Sequence, residues 1–255
     1  NIETVFYPVP MNDVIEIIPS DDLIENNYQF TDGLYFKQTG ISIDCNSNDN
    51  LCVRAFKLLA MEYSLPPTYI HLHKLIPTGA GLGGGSSDAA KILTGLNTVY
   101  GLNISKEKLM LYASKLGSDC PFFIDAEPAF AHGRGELINR IDPFIRHHHV
   151  VIVKPQISVS TAEAYSMITP HEPGFSLKEL WKLRIDKWEE LVKNDFEVPV
   201  FDKYPEIKSI KEQLIAAGAH FALMSGSGAS VYALSYSKLN LKDKFTDCFK
   251  WQGVL

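Results

Sequence analysis

Pro77-Thr78-Gly79-Ala80-Gly81-Leu82-Gly83-Gly84-Gly85-Ser86-Ser87-Asp88-Ala89-Ala90 sets five glycines and two serines in a loop that runs straight into an apolar-periodic segment. Glycine has no Cβ, so such a backbone turns tightly and brings its N–H groups close to a ligand. The residues that follow, Ala89, Ala90, Ile92, Leu93 and Leu96, recur at helical spacing. A glycine loop ending at a helix N-terminus is an anion site. Its first amides have no intrahelical acceptor, and the positive end of the helix dipole faces the same way. The pattern predicts that a phosphate-bearing molecule binds here.

A P-loop requires a lysine after its last glycine, followed by Ser or Thr, and no lysine stands there. Gly79, Gly81 and Gly84 satisfy the dinucleotide pattern G-x-G-x-x-G. That fingerprint closes a strand directly and is answered by an acidic residue ending a second strand. Here Pro77 and Thr78 intervene, and Asn103-Ile104-Ser105-Lys106-Glu107-Lys108-Leu109 reads instead as a helix start capped by Ser105. A flexible Gly/Ser linker would not lie between a strand-like apolar run and a patterned helix.

The 255 residues are 45% hydrophobic and 21% charged, a globular composition with length for one large core or two small ones. A net charge of −6 with dispersed Lys and Arg gives no nucleic-acid-binding stripe. No apolar run reaches membrane-spanning length, and no signal-peptide pattern opens the chain. Cys45, Cys52, Cys120 and Cys248 form no C-x-x-C pair and read as reduced thiols of a cytosolic protein. His147-His148-His149 is not read as a metal site, because neighbours on a strand point to opposite faces and the rings cannot converge.

The pattern predicts two strands within Ile2–Ile18 around a turn at Pro8–Asp13, and further short strands within Asn26–Ile43. Leu51–Tyr63 has helical spacing, Tyr69–Leu75 alternates as a half-buried strand, and helices follow to about Tyr100 and over Ser105–Leu116. Beyond the break at Gly117–Phe123 come Pro128–Leu137, a buried strand at His149–Lys154 and a short helix at Thr161–Met167. Phe175–Lys193 reads as largely helical, with Trp181 and Trp188 on its apolar side. A helix at Pro205–Ala217 stops at Gly218, and strands at Phe221–Leu223 and Ser230–Leu234 flank a glycine-serine turn. A soft boundary falls at residues 145–160, before a second α+β unit.

Pro77, Gly81-Leu82-Gly83-Gly84-Gly85-Ser86-Ser87 and Ala89-Ala90 together resemble the phosphate loop of the GHMP small-molecule kinases, among them the galacto-, homoserine, mevalonate and phosphomevalonate kinases. Asn1-Ile2-Glu3-Thr4-Val5-Phe6 is similar to the segment after that family's Gly-Tyr-His motif. Gly117-Ser118-Asp119-Cys120-Pro121-Phe122-Phe123 resembles its catalytic-aspartate motif. Ser158 to Tyr165 resembles its substrate-side turn, and Met224-Ser225-Gly226-Ser227-Gly228 its C-terminal glycine motif. The resemblance thus spans nearly the whole chain.

What the resemblance implies is an α+β, two-lobed fold, with the active site in the cleft between the lobes. The N-terminal, ATP-binding lobe (residues 1–150) would be like ribosomal protein S5 domain 2, and the C-terminal lobe (residues 151–255) ferredoxin-like. The implied reaction is ATP-dependent, Mg²⁺-assisted phosphorylation of the 2-hydroxyl, on a tertiary carbon, of a cytidine diphosphate-linked methylerythritol, in the non-mevalonate isoprenoid route. Asp119 would be the catalytic base, since forming the O–P bond requires the hydroxyl proton to be accepted. From the residues alone, a turn-stabilising role is the leading reading of Asp119, and only the resemblance reverses that order. Nucleotide contacts would come from Asn50, Lys74, Pro77, Gly79, Ala80, Gly81, Leu82, Gly83, Gly84, Gly85, Ser86 and Ser87, with a serine hydroxyl on phosphate or Mg²⁺. Asn50 also fits a plain helix N-cap, and Lys74 a solvated strand-edge lysine. Substrate contacts would come from Asp119, Thr161, Tyr165, Gly226 and Ser227. Tyr165 would stack on the pyrimidine, but it also fits a helix-face core position.

The resemblance implies a bacterial cytoplasm or a plastid, with no nucleic-acid or membrane partner, and leaves a homodimer open. Related enzymes begin upstream of Asn1, with a lysine, an asparagine and a His/Tyr pair that this chain does not show. It is therefore expected to be a shortened, inactive form of an active parent. Two other readings stay open: a GHMP kinase for homoserine or a mevalonate derivative, and a non-catalytic nucleotide-binding protein of the same fold.

Overall fold

The computed structural model describes residues 2–19, 28–43, 45–172 and 174–255. Asn1, at the head of the first motif, and Asn26-Asn27, at the start of the second strand region, lie outside the described residues. The chain divides into two compact units. The first comprises Asn1–Pro8, Asn12–Thr78 and Gly83–Ile141; the second comprises Val9–Met11, Gly79–Leu82 and Asp142–Leu255.

The first unit runs β1 (Ile2–Phe6), β2 (Val14–Pro19), β3 (Gln29–Thr31), β4 (Leu34–Gly40), α1 (Leu51–Ala60), β5 (Thr68–Lys74), α2 (Gly84–Val99), α3 (Lys106–Leu116), α4 (Phe122–Asp125), β6 (Ala129–Gly133) and β7 (Leu137–Arg140). One sheet has the order β2-β5-β4-β3 and another β1-β6-β7. β1 and β2, neighbours in sequence, therefore do not pair. β1 lies antiparallel to β6 and β2 antiparallel to β5. β4 and β5 are parallel, with Phe36 opposite Ile70, and α1 supplies the crossover that a parallel pair requires.

Leu34, Phe36, Ile70 and Leu72 form the buried face of the larger sheet, packed with Val53, Phe56 and Leu59 of α1 and Ile92, Leu93 and Leu96 of α2. Period-two alternation in the strands and 3.6-residue spacing in the helices put these side chains on one side. Asn50 caps α1, its Oδ1 accepting the Cys52 N–H at 2.9 Å, and it is itself buried. Ser105 caps α3 through the Lys108 N–H.

The second unit runs β8 (His149–Lys154), α5 (Thr161–Ser166), α6 (Trp188–Leu191), α7 (Glu197–Lys203), α8 (Pro205–Ala216), β9 (Phe221–Met224), β10 (Val231–Ser235) and β11 (Phe249–Val254). Its sheet is antiparallel throughout, in the order β11-β8-β10-β9. That order is the ferredoxin-like one, but an irregular path replaces the second crossover helix between β10 and β11. Val151, Val153, Ile207, Ile210, Leu214 and Val231 carry its core.

Phe175–Lys193 is not one helix. Short 3₁₀ turns at Leu177–Lys182 and Ile185–Lys187 precede α6. Leu183 (ψ 142°) and Arg184 (ψ 146°) are extended, which breaks the helical register. Trp188 is buried, whereas Trp181 is exposed and faces no core. α7, unexpected from the pattern, carries Pro199 in its first turn, where a missing N–H costs little.

Candidate active site

In the first unit, the loop meets α2 at Gly83. Its left-handed backbone (φ 67°) makes it the N-cap, with no side chain capping the helix. The first amides of α2 are therefore not spent on a capping side chain. A Cβ on Gly83 would lie 2.6 Å from Phe123 Cζ and 3.6 Å from Asp119 Oδ2, so this turn passes directly beside Asp119. Asp119 sits in the turn after α3, half-buried, and its Oδ1 accepts the Ser86 hydroxyl at 2.9 Å. One carboxylate oxygen is thus tethered to the first turn of α2.

Lys74, the last residue of β5, is neither solvated nor at a surface: it is fully buried. Its Nζ lies 2.5 Å from Asp13 Oδ2 and 2.6 Å from Asp88 Oδ2. Asp13 Oδ1 also accepts the N–H groups of Leu75 at 2.5 Å and Ile76 at 2.8 Å. Two carboxylates thus share one ammonium in the interior.

Burial, above all, pushes the Asp88 carboxyl up to about 7; Lys74 draws it down and Asp13 adds to the rise. Below about 7 the native state keeps a proton that the unfolded chain releases near pH 4, so this group's contribution to stability falls as pH rises from about 4 to 7. Asp88→Asn removes that titration. Its melting temperature relative to the parent chain is expected to climb between pH 5 and pH 8. Parallel melting curves across that range would show that Asp88 does not titrate there.

In the second unit, Gly81 (φ 68°) lies against the turn joining β9 and β10. Its carbonyl accepts the Ser225 hydroxyl at 2.7 Å, and the Ala80 carbonyl accepts the Ser230 N–H at 3.2 Å. Gly226 and Ser227 lie in that hairpin turn, which closes with the Ser225 N–H on the Ser230 carbonyl at 2.8 Å. Thr161, the first residue of α5, has its Oγ1 3.4 Å from Ser227 Oγ. Tyr165, one turn further on, is part-exposed and meets Phe196 edge-to-face at 4.9 Å. It is not a core residue: 43% of it is exposed.

Two residues behind this turn escape sequence reading. Asn194 Nδ2 donates to the carbonyls of Met224 and Gly226, each at 2.8 Å, and Glu197 Oε1 accepts the Met224 N–H at 2.8 Å. Lys211 pairs with the other Glu197 oxygen at 2.8 Å. An Asn shortly before a helix signals a local turn, which it also makes, its Oδ1 accepting the Phe196 N–H at 3.0 Å. Nothing local announces its partners some thirty positions on. Among the described residues, no group of three or more His, Cys, Asp or Glu side chains is placed to hold a metal ion, and no helix is long and apolar enough to cross a membrane.

The model of the GHMP kinases N terminal domain matches residues 50–127, and that of the GHMP kinases C terminal matches residues 176–248. A protein of Parabacteroides distasonis named 4-diphosphocytidyl-2-C-methyl-D-erythritol kinase is 45% identical over 100% of this chain and 91% of its own length. One of the same name from Bacteroides thetaiotaomicron is 47% identical with the same coverage. A crystal structure of 4-(cytidine 5'-diphospho)-2C-methyl-D-erythritol kinase superposes with a TM-score of 0.74 at 30% identity, covering 91% of this chain and 80% of that one. The homoserine kinase of Cytophaga hutchinsonii, at 16% identity and a TM-score of 0.65 over 95% and 85% of the two chains, shares the fold. A glycine loop opening α2, a carboxylate tethered beside it and matches to both halves of the kinase lead to one assignment: the chain belongs to the GHMP kinase family.

Proposed function

We propose that the protein containing this sequence transfers the γ-phosphoryl group of ATP to the 2-hydroxyl of 4-diphosphocytidyl-2-C-methyl-D-erythritol, a step of the non-mevalonate route to isoprenoids. The match to enzymes of that name along the whole chain, at 45% and 47% identity, carries this reading. Backbone amides from Gly81 through Ser86 hold the nucleotide phosphates, the Ser87 N–H being spent on the Gly83 carbonyl, and the first turn of α2 adds its dipole. Asp119 accepts the proton of the 2-hydroxyl as its oxygen bonds to the γ-phosphorus and the bond to the ADP oxygen breaks. Ser86 keeps Asp119 oriented through its 2.9 Å hydrogen bond.

The hydroxyls of Ser86 and Ser87 and the Asp119 carboxylate are hard oxygen donors, the ligand class that suits Mg²⁺ carried on ATP phosphates. Such an ion, when bound, offsets phosphate charge. Thr161, Tyr165, Gly226 and Ser227 form the cytidine side, where the exposed aromatic ring of Tyr165 suits stacking on a pyrimidine. The test follows ATP consumption with Mg²⁺ and the diphosphocytidyl substrate, together with the thermal shift produced by CDP. ATP turnover confined to that substrate, with stabilisation by CDP, is expected. Turnover of homoserine or of a mevalonate derivative instead would overturn the assignment.

A further inference from the structure

Asp13 belongs to none of the family motifs in this chain, yet its carboxylate makes three contacts at the root of the glycine loop. Its Oδ1 accepts the amides of Leu75 and Ile76, the two residues that carry the chain from β5 toward Pro77. Its Oδ2 accepts from Lys74 Nζ, which also reaches Asp88 in α2. The three side chains are almost wholly shielded: side-chain exposures are 2% for Asp13, 1% for Lys74 and 4% for Asp88.

Gly84, the first residue of α2, rests on the side chains of Ile76, whose backbone amide Asp13 holds, and of Lys74, whose ammonium Asp13 holds. A Cβ there would lie 2.8 Å from Ile76 Cγ2 and 3.2 Å from Lys74 Nζ. Lys74 is enclosed, with its ammonium committed to two carboxylates, so it supports the loop from beneath. Buried ion pairs are expensive to desolvate and contribute little net stability, and in several proteins their role is to fix a geometry.

We propose that Asp13 is a positioning residue for nucleotide binding. Through Lys74 and the amides of Leu75 and Ile76 it sets the place of Gly84, and with it the direction of the amides at the N-terminus of α2. This rests on the reading of the glycine loop as the site of the ATP phosphates. Asp88 completes the support from the helix side. It holds Lys74 against α2, so that sheet and helix move as one body.

The test measures dissociation constants for ATP and for CDP by calorimetry on the parent chain, Asp13→Asn and Asp88→Asn, with melting temperatures alongside. Asn has nearly the shape of Asp but cannot hold an ammonium by charge. Asp13→Asn is expected to weaken ATP about tenfold or more while CDP binding stays within about twofold, and Asp88→Asn to act in the same direction by a smaller factor. A merely structural role would not split the two ligands in this way. ATP affinity unchanged in a folded Asp13→Asn, or ATP and CDP affinities falling together, would overturn the proposal. If Asp13→Asn does not fold, Asp88→Asn decides by the same criterion. A parent chain that binds CDP but not ATP would instead sink the loop reading, and the proposal with it.

Discussion

Asp119→Asn is expected to lower turnover by about a thousandfold while leaving ATP affinity within about threefold of the parent. A positioned general base contributes roughly 10² to 10⁴ in rate, about 3–5 kcal/mol of barrier. Asparagine keeps the size of the side chain, and its carbonyl oxygen can still accept the Ser86 hydroxyl, so the turn after α3 keeps its place. What it loses is the capacity to accept a proton. The loop amides are untouched, which is why binding should survive. Ser86→Ala is the informative companion: it removes the tether and leaves the base. Its loss should be about tenfold, the value of one hydrogen bond to a charged group. Single-turnover measurements, which isolate the chemical step, separate the two effects. Turnover by Asp119→Asn within tenfold of the parent would place the base elsewhere and reduce Asp119 to a turn-stabilising residue.

The parts of this fold that could be read from sequence are those whose cause is local. α2 follows from the spacing of Ala89, Ile92, Leu93 and Leu96 after a glycine run, and α3 from Ser105 at its cap. The resemblance puts Ser86 and Asp119 in one site, but not their hydrogen bond, which joins side chains thirty-three positions apart. Strand partners were not readable. Nothing in Ile2–Ile18 says that β1 joins β6 while β2 joins β5, because pairing depends on which faces the helices cover. Phe175–Lys193 shows the reverse error. Its apolar spacing fits a helix, but Leu183 and Arg184 extend, and only Trp188 goes inside. β11 alternates half-buried and exposed residues over Phe249–Val254, a pattern too short and too polar to stand out.

Lys74 is the most instructive case. A lysine ending a half-buried strand reads as a solvated side chain or a ligand contact, and the residues that bury it, Asp13 and Asp88, lie on other elements. A charge is rarely enclosed without a partner, so its environment is settled by tertiary neighbours that one sequence does not reveal.

Gly81→Ala is expected to be among the most damaging single-methyl changes in the chain. A Cβ at this position would lie 2.0 Å from the Ser225 carbonyl oxygen and 3.0 Å from that of Gly228. These atoms are backbone, and they cannot swing aside as a side-chain end would. Moving Ser225 breaks its own N–H bond to the Ser230 carbonyl at 2.8 Å and the bond its carbonyl accepts from the Gly228 N–H at 2.9 Å. It also pulls away the Ser225 hydroxyl, which donates to the Gly81 carbonyl at 2.7 Å. The backbone there has φ 68°, which costs an L-residue about 1–2 kcal/mol before any clash. With the displaced turn added, the loss should reach roughly 3–5 kcal/mol, the range of a diagnostic single substitution. Gly101→Ala separates the two terms. Its φ is 57°, but nothing lies within 4 Å of the added carbon, so only the conformational cost of about 1 kcal/mol applies. Urea unfolding of both variants gives the comparison directly. A Gly81→Ala variant no less stable than Gly101→Ala would mean that the loop does not approach the β9–β10 turn as closely as the structure places it. A gap of about 2 kcal/mol or more would assign the excess to that contact.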